Sequence, residues 1–138
     1  MTKFWLIALC SFLLANCTTK EINLKYLNGY WEIDRVEKNG KLLKQYNYNE
    51  FIEYFQLTDS IGFRMKLKPS FIGKFSGNLE KNTFKIQSIT NSENLKIIYT
   101  TQNLKEEFLD EITDKVLEIS NANGLTYYYK KYTPIDLP

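Results

Sequence analysis

Leu27-Asn28-Gly29-Tyr30-Trp31-Glu32-Ile33-Asp34 is the stretch that decides the fold. Trp31 and Ile33 fall on one parity; Tyr30, Glu32 and Asp34 fall on the other. A period of two marks a strand with one buried face, whereas a helix would repeat every 3.6 residues. Asn39-Gly40 follows and predicts a hairpin, because both central residues of a type I′ turn need positive φ.

The alternation continues down the chain. Phe51, Phe55 and Leu57 share a face that Glu53 interrupts, and Leu42 to Phe55 also admits a helical turn. Phe63, Met65 and Leu67 alternate with Arg64, Lys66 and Lys68. The apolar trio is expected inside. The basic trio, with Lys74, is expected as a solvated outer stripe, or as a contact for lipid phosphates or an acidic glycan. Pro69-Ser70 breaks that strand, since proline cannot donate to a ladder. Phe71, Gly73 and Phe75 resume the pattern, and Gly77-Asn78 predicts a turn.

Later segments read the same way. Phe84 and Ile86 share one face, as do Leu95, Ile97 and Tyr99. Phe108 and Ile112 oppose Leu109, amid an acidic run of Glu106, Glu107, Asp110, Glu111 and Asp114 that reads as a solvated face. Leu117 and Ile119 oppose Val116 and Glu118, Asn121 to Gly124 predicts a turn, and Leu125, Tyr127 and Tyr129 close the domain. About eight to nine strands at 8–12-residue spacing predict an all-β, antiparallel up-and-down meander, closed as a sandwich or barrel.

Tyr99, Tyr127 and Tyr129 carry the candidate ligand site. Each falls on the parity of aliphatic neighbours, so each is expected to face the interior. A buried hydroxyl needs a partner, and leaving one unpaired costs about 1–3 kcal/mol. Few polar residues share their parity, which makes water or a ligand the expected partner. The expected pocket is partly wet and opens at the end away from Trp31. An interior packed solid with aromatic rings is the competing expectation, since eight strands leave a lumen that side chains can fill.

Charge and composition exclude several classes. There are 18 Lys and Arg against 16 Asp and Glu, a near balance that argues against nucleic acid as a partner. Histidine is absent, which removes the commonest general base and the commonest zinc ligand. No phosphate loop, nucleophile elbow or metal-ligand spacing occurs. No enzyme, metal or cofactor is therefore expected.

Lys3 precedes an apolar run from Phe4 to Leu14. That run is shorter than the roughly 20 residues a membrane-spanning helix needs, and it fits the apolar core of a secretory signal. Leu14-Ala15-Asn16-Cys17 resembles the lipobox of bacterial lipoproteins, with Asn16 where a smaller residue is usual. The resemblance implies cleavage before Cys17 and acylation of its thiol. Anchoring to the outer membrane of a bacterial envelope follows, through chains that contribute about 0.8 kcal/mol per buried CH₂. Cys10 would leave with the leader, so no disulfide remains.

Leu27-x-Gly29-x-Trp31 at the first strand is similar to the opening of a lipocalin. There, glycine allows a tight entry and tryptophan plugs the closed end of the barrel. The resemblance implies a basic residue late in the last strand packed over that tryptophan, here Lys130 or Lys131. With the lipobox and the ending Leu125-x-Tyr127-x-x-Lys130, the chain resembles the short lipocalin-like lipoproteins of bacterial outer membranes. The expected organisation is a signal over 1–16, a lipid-anchored tether over 17–26, a barrel over 27–133 and a tail over 134–138. The expected function is holding a small apolar or amphipathic ligand. A structural or interaction module with a filled core is the alternative.

Overall fold

Positive φ at Asn39 (51°) and Gly40 (80°) closes the first hairpin where the sequence places it. The computed structural model describes residues 22–69, 75–76, 81–90, 92, 94–100 and 106–134. The leader, Cys17, the Phe71 and Gly73 positions, Lys74, the Gly77-Asn78 turn and residues 135–138 lie outside the described residues.

A short 3-10 turn, Leu24–Leu27, is capped by Asn23, whose side chain accepts from the Lys25 amide at 3.1 Å. Ten strands follow among the described residues: β1 (Gly29–Lys38), β2 (Lys41–Gln45), β3 (Ile52–Thr58), β4 (Ile61–Pro69), β5 (Phe75–Ser76), β6 (Lys81–Ser88), β7 (Leu95–Tyr99), β8 (Glu107–Ile112), β9 (Val116–Ser120) and β10 (Leu125–Lys131). Neighbours pair antiparallel in the order β1, β3, β4, β6, β7, β8, β9, β10, and β10 pairs back onto β1. Eight strands thus form a closed antiparallel barrel. Closure removes the unpaired sheet edges that would otherwise invite aggregation. The Leu42–Phe55 segment holds no helix: β2 pairs with the second half of β1, and β3 pairs with its first half.

Trp31 plugs one end with no exposed surface, and its indole N–H donates to the Leu27 carbonyl at 2.9 Å. Lys131, not Lys130, covers it: its Nζ sits 4.4 Å from the ring centroid and donates to the Asn28 carbonyl at 2.8 Å. Gly29 at φ 124° makes room, because a Cβ there would lie 2.6 Å from that Nζ. Lys130 points outward toward Glu32, 3.6 Å away. Ile22 and Leu24 also pack against the core, on the N-terminal side of position 27.

Leu109 and Ile112 are both buried although they stand three positions apart, on opposite parities. A bulge between Leu109 and Glu111 resets the alternation, so Leu109, rather than Phe108, shares the interior with Ile112. Phe84, Ile97, Leu117, Ile119 and Tyr129 complete the core from the other walls.

Candidate functional site

β4 faces the opposite way from the alternation reading. In an antiparallel pair, residues directly opposite share a face. Phe55 pairs with Arg64, Leu57 with Gly62 and Glu53 with Lys66. Phe55 is fully buried in the core, so Arg64 must point inward beside it. The expected outer basic stripe is therefore wrong for Arg64, whose side chain is 13% exposed. Gly62 is part of the reason: it pairs with Phe84, and a Cβ there would already lie 3.0 Å from that ring.

Phe63, Met65 and Leu67 lie on the outer side. They do so without waste of apolar surface, because that side has an aromatic cluster of its own. Tyr54 stands 4.9 Å from Tyr30 and 6.0 Å from Phe63, ring centroid to centroid, and the Lys81 amine lies 4.4 Å from the Phe63 ring. Leu67 is buried opposite Ile52.

Inside, Arg64 gathers four partners from four strands. Its Nε donates to Glu53 at 3.3 Å, and its second terminal nitrogen pairs with the other Glu53 oxygen, also at 3.3 Å. The first terminal nitrogen donates to the Tyr99 hydroxyl at 2.6 Å and to Glu107 at 3.0 Å. The second also donates to the Tyr129 hydroxyl at 3.2 Å. Tyr99 in turn donates to Glu107 at 2.5 Å. Glu107 is thus an interior residue and not part of a solvated acidic face.

Burial alone would pull the Arg64 pKa down; Tyr129, Glu53, Tyr99 and Glu107 outweigh it and hold the guanidinium well above its ordinary value. Burial pushes the Tyr99 and Tyr129 phenols up, Glu107 and Glu53 add to the rise, and Arg64 opposes it. Both hydroxyls stay protonated at neutral pH and bond within the protein. Water or a ligand is not needed as the partner of either.

A cavity of about 760 Å³ opens above this cluster. Ile33, Val36, Tyr127 and Tyr129 form its wall; Glu53, Arg64 and Glu107 form its floor. Its mouth lies among residues 46–52 and 121–123, at the end of the barrel away from Trp31. Asn49 holds one side of the mouth by donating to the Ile33 carbonyl at 2.9 Å. Across from it, the Asn39 amide donates to the Gly124 carbonyl at 2.8 Å and joins the two turns. Of the three candidate tyrosines, Tyr127 and Tyr129 line the cavity, while Tyr99 braces Arg64. Sequence reasoning missed Glu53, Arg64 and Glu107. The signal was present: Glu53 interrupts an apolar face, and on the adjacent strand Arg64 lies diagonally across from it, two residues from its direct partner Lys66.

No family model matches the chain, and no curated protein does. Among solved structures, the chain is similar to an uncharacterized protein from Bacteroides eggerthii, 14% identical, with a TM-score of 0.47. The match covers 77% of this chain and 99% of that one.

Proposed function

We propose that this chain is a lipid-anchored module of the bacterial envelope whose barrel holds a small amphipathic molecule. The leader ending in Leu14-Ala15-Asn16-Cys17 supports the anchor, with Cys17 acylated and seated in the outer membrane. The observation that carries the binding reading is the cavity. At about 760 Å³ it falls in the range usual for small-molecule sites, with apolar walls and a few convergent polar groups. A wholly apolar guest would strip water from the charged floor and return no polar contact, so an amphipathic guest fits better. A solidly filled interior, the structural alternative, has no use for such a void.

Glu53 and Glu107 are also two carboxylates in one cleft, the equipment of a glycosidase. Here both are bonded to the same guanidinium, an arrangement that braces the wall rather than one that delivers a proton. Binding is therefore the better reading. The test is calorimetric titration of the mature chain, freed of acyl groups, with a panel of small amphiphiles. At least one should bind tighter than about 100 μM, roughly −5.5 kcal/mol. A panel with no binder below that value would leave the structural module as the better reading.

A further inference from the structure

We infer that the cavity floor selects a ligand with a cationic head group, an ammonium or guanidinium, and rejects carboxylates. The inference rests on the binding reading above and names the chemistry of its guest.

Barrels that hold an anion need a cation with donors to spare. Arg64 has none to offer. Each of its three nitrogens is already engaged: Nε with Glu53, one terminal nitrogen with Tyr99 and Glu107, the other with Tyr129 and Glu53. A ligand carboxylate could reach it only by displacing one of those partners. The displaced glutamate would then remain in the cavity as a second unmatched anion.

The formal charge at the floor points the same way. One guanidinium faces two carboxylates, Glu53 and Glu107, with side chains 15% and 16% exposed. The rim is balanced: Glu50 pairs with Lys68 at 2.8 Å, and Glu106 with Lys96 at 3.2 Å. Lys66, opposite Glu53 on the same face, is the other cation of the lining; it is exposed, so water weakens its attraction both for Glu53 and for an incoming anion. The unmatched negative charge therefore lies deep, where the effective dielectric is low and an ion pair is strongest. An ammonium seated there completes two cations against two anions.

The walls suit the rest of such a ligand. Ile33 and Val36 offer aliphatic surface, and the Tyr127 and Tyr129 rings offer π faces that attract cations and stack on aromatic bodies. Keeping an excess charge inside a barrel costs stability, and local rules are broken in this way chiefly at functional sites.

Three probes of matched body and different head group test the inference: phenethylammonium, hydrocinnamyl alcohol and hydrocinnamate. They are titrated by calorimetry into the mature acylated chain in lipid nanodiscs, with empty nanodiscs as the blank. Phenethylammonium should bind roughly tenfold or more tighter than the alcohol, the size of one charge-assisted hydrogen bond, and hydrocinnamate should bind weakest. Glu107→Gln should abolish the preference for the ammonium and raise the affinity for hydrocinnamate. Should that variant lose its fold by circular dichroism, Glu53→Gln makes the same comparison. Hydrocinnamate binding as tightly as phenethylammonium to the native chain would overturn the cationic selection and leave the binding reading standing. If none of the three binds, the cationic selection falls, and the amphiphile panel above decides the binding reading.

Discussion

Arg64 on β4 and Glu107 on β8, 43 residues apart in sequence, meet at 3.0 Å across the barrel interior. A ring of hydrogen-bonded strands resists shear but can flatten. Arg64 ties β4 to β3, β7, β8 and β10 through Glu53, Tyr99, Glu107 and Tyr129, and so fixes the spacing of the walls around the cavity. Removing one partner of a buried charge cluster is worse than removing all of them, since it strands the others. Arg64→Met should therefore cost about 3–5 kcal/mol in urea melts. Adding Glu53→Gln and Glu107→Gln to it should recover most of that loss. A triple variant no more stable than Arg64→Met would mean the cluster contributes by packing alone.

The closed end depends on three residues that touch. Trp31→Ala removes a fully buried indole and should cost about 3–5 kcal/mol. Gly29→Ala introduces a side chain at φ 124° and drives a Cβ into the Lys131 amine, and should cost about 1–3 kcal/mol by the same melts. Combining Gly29→Ala with Lys131→Ala relieves the clash but not the backbone strain, so the double variant should recover only part of the loss. Full recovery would show that the glycine is needed for space and not for its conformation.

Stability should fall as pH rises above 10. Burial raises the phenols of Tyr99, Tyr127 and Tyr129 above their ordinary 10.0, and burial with the Glu37 bond raises Tyr128 to about 12. A folded state that keeps protons the unfolded chain releases is fully favoured below the unfolded pKa and loses that advantage above it. Lys131, lowered by burial, acts in the opposite sense, because the cost of its buried charge fades as the amine deprotonates. One lysine faces four tyrosines, so the net slope is downward. Urea midpoints at pH about 9 and about 11 should show the drop, and Tyr99→Phe should shrink it. A midpoint independent of pH over that range would contradict the burial of these hydroxyls.

Cys17→Ser should abolish membrane attachment. On the proposed anchor Cys17 would be the acyl acceptor, and two acyl chains would suffice for stable attachment where one is marginal. Fractionation of cells expressing the variant should find it uncleaved or in the soluble fraction. Cleaved variant protein that still sediments with membranes would sink the lipid-anchor reading.

The order of strands around the barrel needed little beyond the chain itself. Alternation at Trp31 and Ile33, at Phe84 and Ile86, at Leu117 and Ile119 and at Leu125, Tyr127 and Tyr129, with positive-φ turns at Asn39-Gly40 and Gly124, is local information, and a meander joins each of the eight ring strands to the next. The interior chemistry was not local. β4 presents apolar residues on one parity and basic residues on the other, and hydrophobicity alone chose the apolar face as the inner one. Register against β3 decided otherwise, by setting Arg64 opposite the buried Phe55 and Gly62 beside Phe84. Glu107 read as part of a solvated acidic face, and Glu53 as an interruption of an apolar one, because a charge is tolerable inside only when its partner arrives from another strand. Sequence by itself determined an all-β antiparallel meander that opens at Trp31; the pairing of β10 back onto β1, which closes it into a barrel, is tertiary. Tertiary structure alone decided that the barrel holds an ion cluster under an open cavity, because pairing a buried charge is a property of the closed ring and not of any one strand.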